Sequence, residues 1–250
     1  MTLDALRLVT TALIGFGATF LFVSTGGVGM ITVPALVFLG LSPQAAIATD
    51  IFALFGGRLG GLVGLWREDK VDIALGVRLG VVTAVGSILG ALTLLSVPAD
   101  VMKRLLAVFL VVLLGLLSVR PRFGVDQVQE VSARRRMLGT LLFLPVGFWA
   151  TLVGAGFLNL GGAVLLLVFR RTFLQTAGVL TLVGLAAAIA GLVVFGSRGS
   201  IVWPLGIAML FGKAAGGYCG ARFAVRVGER RIRWLFVVVV LASALQLGLR

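Results

Sequence analysis

The sequence predicts an all-α polytopic membrane protein made of two inverted repeats of about five helical segments each, with short or broken helices at glycine-rich motifs. Three observations carry that expectation. Charged residues make up 12% of the 250 residues and hydrophobic ones 60%, about half the charge of an ordinary soluble domain, and the mean hydropathy is +1.15. Runs such as Leu105–Val119 and Leu235–Leu249 hold no charge at all. The two halves also match each other at a shift of 130 residues, with no gap from about residue 7 to the end.

Short polar or basic joints divide the chain into apolar segments at about 6–24, 28–41, 44–66, 73–97, 101–119, 137–154, 158–169, 173–196, 201–222 and 232–249. A full crossing takes roughly 20 residues. The second and seventh segments are too short for that and sit beside glycine-rich breaks, so they are read as tilted, partial or re-entrant. The shift of 130 places Gly61-Leu62-Val63 on Gly191-Leu192-Val193, Gly76 on Gly206, and Gly86, Gly90 and Ala91 on Gly216, Gly220 and Ala221. It also places Gly26 on Gly156, Leu105 on Leu235 and Arg120 on Arg250. The organisation is therefore a first transmembrane repeat over 1–119, a basic linker over 120–136, and a second repeat over 137–250.

Cation placement orients the repeats. If all ten segments reverse the chain, one side collects Arg67, Lys70, Arg120, Arg122, Arg134, Arg135, Arg136, Arg170, Arg171, Arg222, Arg226, Arg230, Arg231 and Arg233. The other side has Arg7, Lys103, Arg104, Arg198 and Arg250. Cytoplasmic loops carry the excess of Lys and Arg, so the 120–136 linker is expected inside and both termini outside, in a multi-pass bacterial inner-membrane protein. Five segments per half then point the halves in opposite directions. That is a recurrent transporter architecture, with the site near the midplane between repeats.

Several chemistries drop out. There is no histidine, and the single cysteine is Cys219, which leaves no catalytic triad, histidine metal site, disulfide or cysteine cluster. No cofactor or metal is expected, and an intramembrane enzyme lacks a nucleophile with a base. The net charge of +13 belongs to cytoplasmic loops rather than to a nucleic-acid surface. The N-terminus reads as the first membrane helix, since no small-residue cleavage site followed by a soluble domain is present.

Gly26-Gly27-Val28-Gly29, then Val33-Pro34, then Ala46-Ile47-Ala48-Thr49-Asp50 resemble the glycine-rich, Val-Pro and Ala-x-x-Thr-Ser pattern of the sulfite exporter TauE/SafE family. Val71-Asp72 and the Gly-x-x-x-Gly-Ala helix from Gly86 to Ala91 follow in the same order, and Gly154-Ala155-Gly156 stands where a second glycine motif belongs. The resemblance covers nearly the whole chain. It implies movement of small sulfur-containing anions (sulfite, sulfonates and related organosulfur compounds), usually outward. The chain departs from the pattern at Asp50, where the family usually has serine, and at Val164, where the mate of Pro34 is no proline.

The candidate site follows from charge placed inside segments, where each ion costs at least about 2.5–3.5 kcal/mol at mid-helix. Arg58 and Lys213 lie at similar depth in two segments that enter from one side. A pair of cations at one depth suits a small anion, with arginine offering two parallel hydrogen bonds and lysine a point charge. The alternative is that each meets a carboxylate or snorkels. Asp50 precedes Arg58 by eight residues and is read either as its structural ion partner or as a proton-coupling group. The breaks at Gly26, Gly27 and Gly29 and at Gly154 and Gly156 are expected to expose helix N-termini to the anion. Ser24, Thr25, Asn159 and Thr49 are expected to add neutral hydrogen bonds. Gly56/Gly60/Gly64 and Gly212/Gly216/Gly220 are read as helix-packing faces, and glycine-rich faces also offer a surface for self-association. Besides a transporter with alternating access, an anion channel and a membrane scaffold subunit remain open at this point.

Overall fold

The structure, a computed structural model, describes residues 3–22, 28–66, 71–98, 100–101, 131–154 and 157–227. The segments expected at 101–119 and 232–249 and most of the linker lie outside the described residues. In chain order the helices are α1 Leu3–Phe22, α2 Val28–Phe38, α3 Pro43–Trp66, α4 Ile73–Ser96, α5 Ala133–Leu141, α6 Phe143–Val153, α7 Phe157–Leu167, α8 Phe173–Ser197 and α9 Trp203–Val227. No strand occurs among the described residues. Among the described residues, five spans are long and apolar enough to cross a bilayer: Asp4–Leu21, Pro43–Trp66, Ile73–Ser96, Ala133–Val153 and Gln175–Ser197. The Ala133–Val153 span joins α5 and α6, and it starts inside the stretch read as linker, with Arg134, Arg135 and Arg136 on its first turn.

Local chemistry sets the boundaries. Asp72 caps α4 by accepting from the Leu75 N–H at 3.0 Å, and the helix stops at Ser96, before Pro98. Thr172 and Gln175 form a reciprocal capping box at the start of α8, each satisfying an otherwise orphaned N–H. Gly154 ends α6 with φ 72°, a left-handed conformation that glycine adopts without a Cβ penalty.

The two short segments are short helices. At 11 residues each and 1.5 Å per residue, α2 and α7 reach roughly 17 Å, about half of a 30 Å hydrocarbon core. At the described edges of the two glycine-rich motifs, Val28, Gly29 and Gly154 are surrounded by protein. Backbone polar groups outside a helix are tolerated at membrane depth only in such surroundings.

The 130-residue shift reappears in the elements, since α1, α2, α3 and α4 have α5–α6, α7, α8 and α9 as their mates. It also reappears in the packing. Gly76 of α4 meets Leu182 of α8, and their mates Gly206 and Phe52 meet between α9 and α3. Gly80 meets Ala186, and their mates Leu210 and Gly56 meet likewise. Each half thus sends its fourth segment into the other half's bundle.

The order of the contacts gives the directions. Gly56 and Gly60 of α3 lie on Leu210 and Ala214 of α9, and Gly212, Gly216 and Gly220 lie on Ala12, Phe16 and Phe20 of α1. Gly86 and Gly90 of α4 lie on Leu144 and Phe148 of α6. Numbers rise together in each pair, so α1, α3 and α9 are parallel, and so are α4, α6 and α8. Between α3 and α8 they run oppositely, with Arg58 at Gly184 and Ile51 at Gly191. The two bundles are therefore antiparallel. A Cβ at Gly60 would run into the Ala214 carbonyl, so these seams close only because the glycines let backbones touch. Both glycine stripes are occupied by packing within the chain.

The main core cluster joins α2, α3, α4, α6 and α8 through Val33, Leu36, Ile47, Ile51, Leu94, Val153 and Phe195. A second cluster seats α7 on α4, α6 and α8 through Leu79, Phe143, Leu158, Leu165 and Leu180. α3 and α8 pack against each other where the two bundles meet.

Candidate functional site

Helix α3 carries both Asp50 and Arg58, and the structure sends them to different neighbours. Eight residues at 100° each amount to about 80° beyond two turns, with an axial separation of about 12 Å. Because α3 is packed between α9 and α8, that angle turns Asp50 toward α9 and Arg58 toward α8. The expected pairing of Asp50 with Arg58 is corrected accordingly: the partner of Asp50 is Lys213.

Lys213 Nζ stands 2.6 Å from Asp50 Oδ1, and both side chains are fully buried. The lysine stem runs through space left by two absent side chains. A Cβ at Gly15 of α1 would lie 3.3 Å from Lys213 Cγ, and one at Gly57 of α3 would lie 3.4 Å from Lys213 Cβ. Lys213 Nζ also donates to Thr32 Oγ1 at 3.3 Å, and the Thr32 hydroxyl donates to the Val28 carbonyl at the first turn of α2. One buried polar cluster therefore ties α2, α3 and α9 beside α1. Among the described residues Asp50 Oδ2 has no hydrogen-bond partner.

Arg58 is 7% exposed, and its surroundings differ. Among the described residues no carboxylate faces it and no hydrogen-bond acceptor receives its N–H groups. Its guanidinium carbon lies over the Phe157 ring, 5.3 Å from the centroid, and its Nε lies where a Cβ on Gly184 would be 2.5 Å away. It lines a pocket of about 40 Å³ together with Ile51, Thr151, Gly154, Phe157 and Gly184. One water needs roughly 10–15 Å³ by this measure, so the space is on the scale of a few waters or a small oxyanion. Ligand pockets for larger organic molecules run to about 300–1,000 Å³. The buried charged side chains among the described residues are Asp50, Arg58 and Lys213. The first and last neutralise each other, which leaves the Arg58 cation in excess beside an open space.

The remaining expected residues fall out as follows. Gly154 lines the Arg58 pocket, and Gly29 is the second residue of α2 and buried. Thr49 accepts from the Val202 N–H at 3.0 Å, which fastens α3 to the start of α9 rather than facing the pocket. Lys213 does not line the pocket either; it reaches Asp50 on the other side of α3. Ser24, Thr25, Gly26, Gly27 and Gly156 lie outside the described residues, as does the side chain of Asn159, whose backbone is the third residue of α7. Gln44 ties to the Val97 carbonyl at the end of α4. Arg222 donates to the Tyr218 hydroxyl on an exposed face.

Sequence reasoning passed over Phe157, Gly184, Thr151 and Thr32. Phe157 had a usable signal, being the first residue after Gly154-Ala155-Gly156. Gly184 and the two threonines are common residue types in apolar helices and carried none.

Comparison with known proteins supplies the last observations. Residues 11–247 match the profile of the family described as Sulfite exporter TauE/SafE. The probable membrane transporter protein ORF9 of Sinorhizobium sp is 29% identical over 242 residues, covering 93% of this chain and 88% of its own. The probable membrane transporter protein YfcA of Escherichia coli K12 is 29% identical over 249 residues, 95% of this chain and 90% of its own. The probable membrane transporter protein YdhB of Bacillus subtilis is 24% identical over 207 residues, with 81% and 83% covered. No solved structure matches.

Proposed function

The chain belongs to the sulfite exporter TauE/SafE family, a family of membrane transporters rather than enzymes, and from that premise we propose that it exports small sulfur-containing anions by alternating access, with Arg58 as the anion-holding cation. The observation that supports this reading is the Arg58 guanidinium: buried, without a counter-ion among the described residues, and lining a pocket where α3 of the first half meets α6, α7 and α8 of the second. An uncompensated cation at bilayer depth is costly, and a bound anion is the partner that removes that cost. Arginine offers paired N–H donors that match two oxygens of a sulfite or sulfonate group.

Asp50 is the proton-coupling candidate within the proposal. With Asp50 ionised, the three buried charges sum to +1, which a monoanion neutralises; protonating Asp50 raises the sum to +2. The antiparallel bundles are placed across the bacterial inner membrane with the 120–136 linker in the cytoplasm and both termini outside, following the arginine bias.

Thermal unfolding of the purified protein with sulfite, thiosulfate, small sulfonates and small carboxylates tests the substrate class. A ligand at 100 times its dissociation constant stabilises by about 2.7 kcal/mol. One or more of the sulfur anions is expected to stabilise the wild type and not Arg58→Met. Stabilisation that survives in Arg58→Met removes Arg58 from the site. Flux into proteoliposomes with and without a pH gradient, in wild type and Asp50→Asn, separates a proton-coupled carrier from a channel.

A further inference from the structure

Resting on the reading of Arg58 as the anion-holding cation, we propose that Phe157 and Gly184 are its positioning residues: the aromatic face stands in for a counter-ion and keeps the guanidinium in place with its N–H groups free for the substrate. A buried arginine in a transport site faces two opposed requirements. It needs a stabilising neighbour when the site is empty, and a carboxylate neighbour would occupy the very donors the anion must use. An aromatic ring meets both. It attracts the cation through its negative face, while the five N–H donors lie in the guanidinium plane and point outward from the edge.

The geometry fits that division of labour. The guanidinium carbon lies over Phe157 at 5.3 Å, and Phe157 is 9% exposed. Among the described residues no hydrogen-bond acceptor receives an Arg58 donor, and Arg58 with Gly154 and Thr151 lines the pocket. The second contact is steric. Gly184 is in the interior of α8, where glycine is less favourable than alanine. Here its bare face receives the guanidinium, for a Cβ would lie 2.5 Å from Nε, 2.8 Å from Cζ and 3.1 Å from Cδ. Arg58 comes from the first half of the chain, whereas Phe157 and Gly184 come from the second. The cation is thus held across the interface of the two halves, and Phe157 opens the helix that follows the Gly154 break. A movement of α7 relative to α3 changes how the cation is held.

The test compares Phe157→Leu, Phe157→Tyr, Gly184→Ala and Arg58→Met in the full chain, with sulfite, 2-hydroxyethanesulfonate and acetate as probes for binding and for concentration-dependent flux. Phe157→Leu is expected to weaken binding and raise KM by about 3- to 30-fold, the fold-change that matches a cation–π contribution of about 0.7–2 kcal/mol, with the maximal rate changed less. Phe157→Tyr keeps an aromatic face and is expected to stay within about 2-fold of wild type. Gly184→Ala displaces the guanidinium and is expected to approach the loss seen in Arg58→Met. Should Phe157→Leu fail to fold, Phe157→Tyr and Gly184→Ala carry the comparison, and wild-type affinity in Gly184→Ala overturns the proposal. Equal losses in Phe157→Leu and Phe157→Tyr assign Phe157 to packing alone and overturn it too. If Arg58→Met itself binds like the wild type, or no probe binds the wild type, the underlying reading of Arg58 fails instead, a different result from normal binding in Phe157→Leu alongside loss in Arg58→Met.

Discussion

Lys213→Met isolates the buried charge pair, because methionine retains much of the apolar stem that packs on Gly15 and Gly57 and removes the ammonium. In the structure, Lys213 Nζ is 2.6 Å from Asp50 Oδ1 with both side chains fully buried. At an effective dielectric of about 20 the gross attraction at that distance is about 6 kcal/mol. Desolvating the two ions costs several kcal/mol each, so the intact pair contributes little net stability. Removing one partner is different. Among the described residues Asp50 Oδ2 already lacks a hydrogen bond, and without the lysine the carboxylate has no cation in contact. The expected loss is about 3–5 kcal/mol for Lys213→Met and of similar size for Asp50→Asn, in the range for a broken buried pair. The double variant removes both charges and is expected to recover most of that loss, so the cycle yields a large non-additive term. Reversible unfolding of purified protein in mixed micelles, read by circular dichroism, supplies the four stabilities. A Lys213→Met protein within about 1 kcal/mol of wild type, or a double variant as unstable as the sum of the singles, refutes the reasoning. Intact stability with lost anion binding would return Lys213 to the substrate site that the sequence first indicated for it.

Other expectations follow from contacts elsewhere. Gly60→Ala drives a methyl group into the Ala214 carbonyl across the α3–α9 seam and is expected to destabilise by about 1–3 kcal/mol, as overpacking does, whereas Gly17→Ala meets nothing within 4 Å and is expected to be neutral or stabilising by up to about 1 kcal/mol; chemical denaturation of the two variants checks the contrast. Asp72→Ala removes both the cap of α4 and the 2.7 Å ion pair to Arg171, with an expected loss of about 0.5–2 kcal/mol that exceeds the loss in Arg171→Gln. In a Cys219→Ser background, a cysteine placed at Val125 is expected to resist an impermeant thiol reagent applied from outside and one at Arg250 to react. Labelling of position 125 from outside contradicts the proposed orientation.

Much of the fold was legible because the bilayer constrains it so strongly. A chain with this hydropathy must satisfy its backbone within helices, and the joints that end them are written in local chemistry, such as Ser42-Pro43, Asp72 and Thr172 with Gln175. The 130-residue shift was visible because close-packed helices need glycine at set positions, and glycine is recognisable in any window. The short lengths of α2 and α7 were legible for the same reason, between a glycine break and the next joint.

The partners of the charged residues were not legible. Spacing along α3 put Asp50 and Arg58 on one broad face, yet a difference of about 80° is enough to choose between two neighbours when a helix is packed on both sides. Which neighbour stands where depends on the exchange of α4 and α9 between bundles, a long-range arrangement that leaves no mark in the local pattern. By itself the sequence determined a helical membrane protein in two related halves, with Asp50, Arg58 and Lys213 as charges needing partners. Only the tertiary structure decided that α9 brings Lys213 to Asp50 and that α7 and α8 bring an aromatic ring and a bare glycine to Arg58. The reason is physical: charge pairing and ring stacking act over a few ångströms, and residues 163 positions apart in the chain, such as Asp50 and Lys213, come within that range only after the bundles have packed.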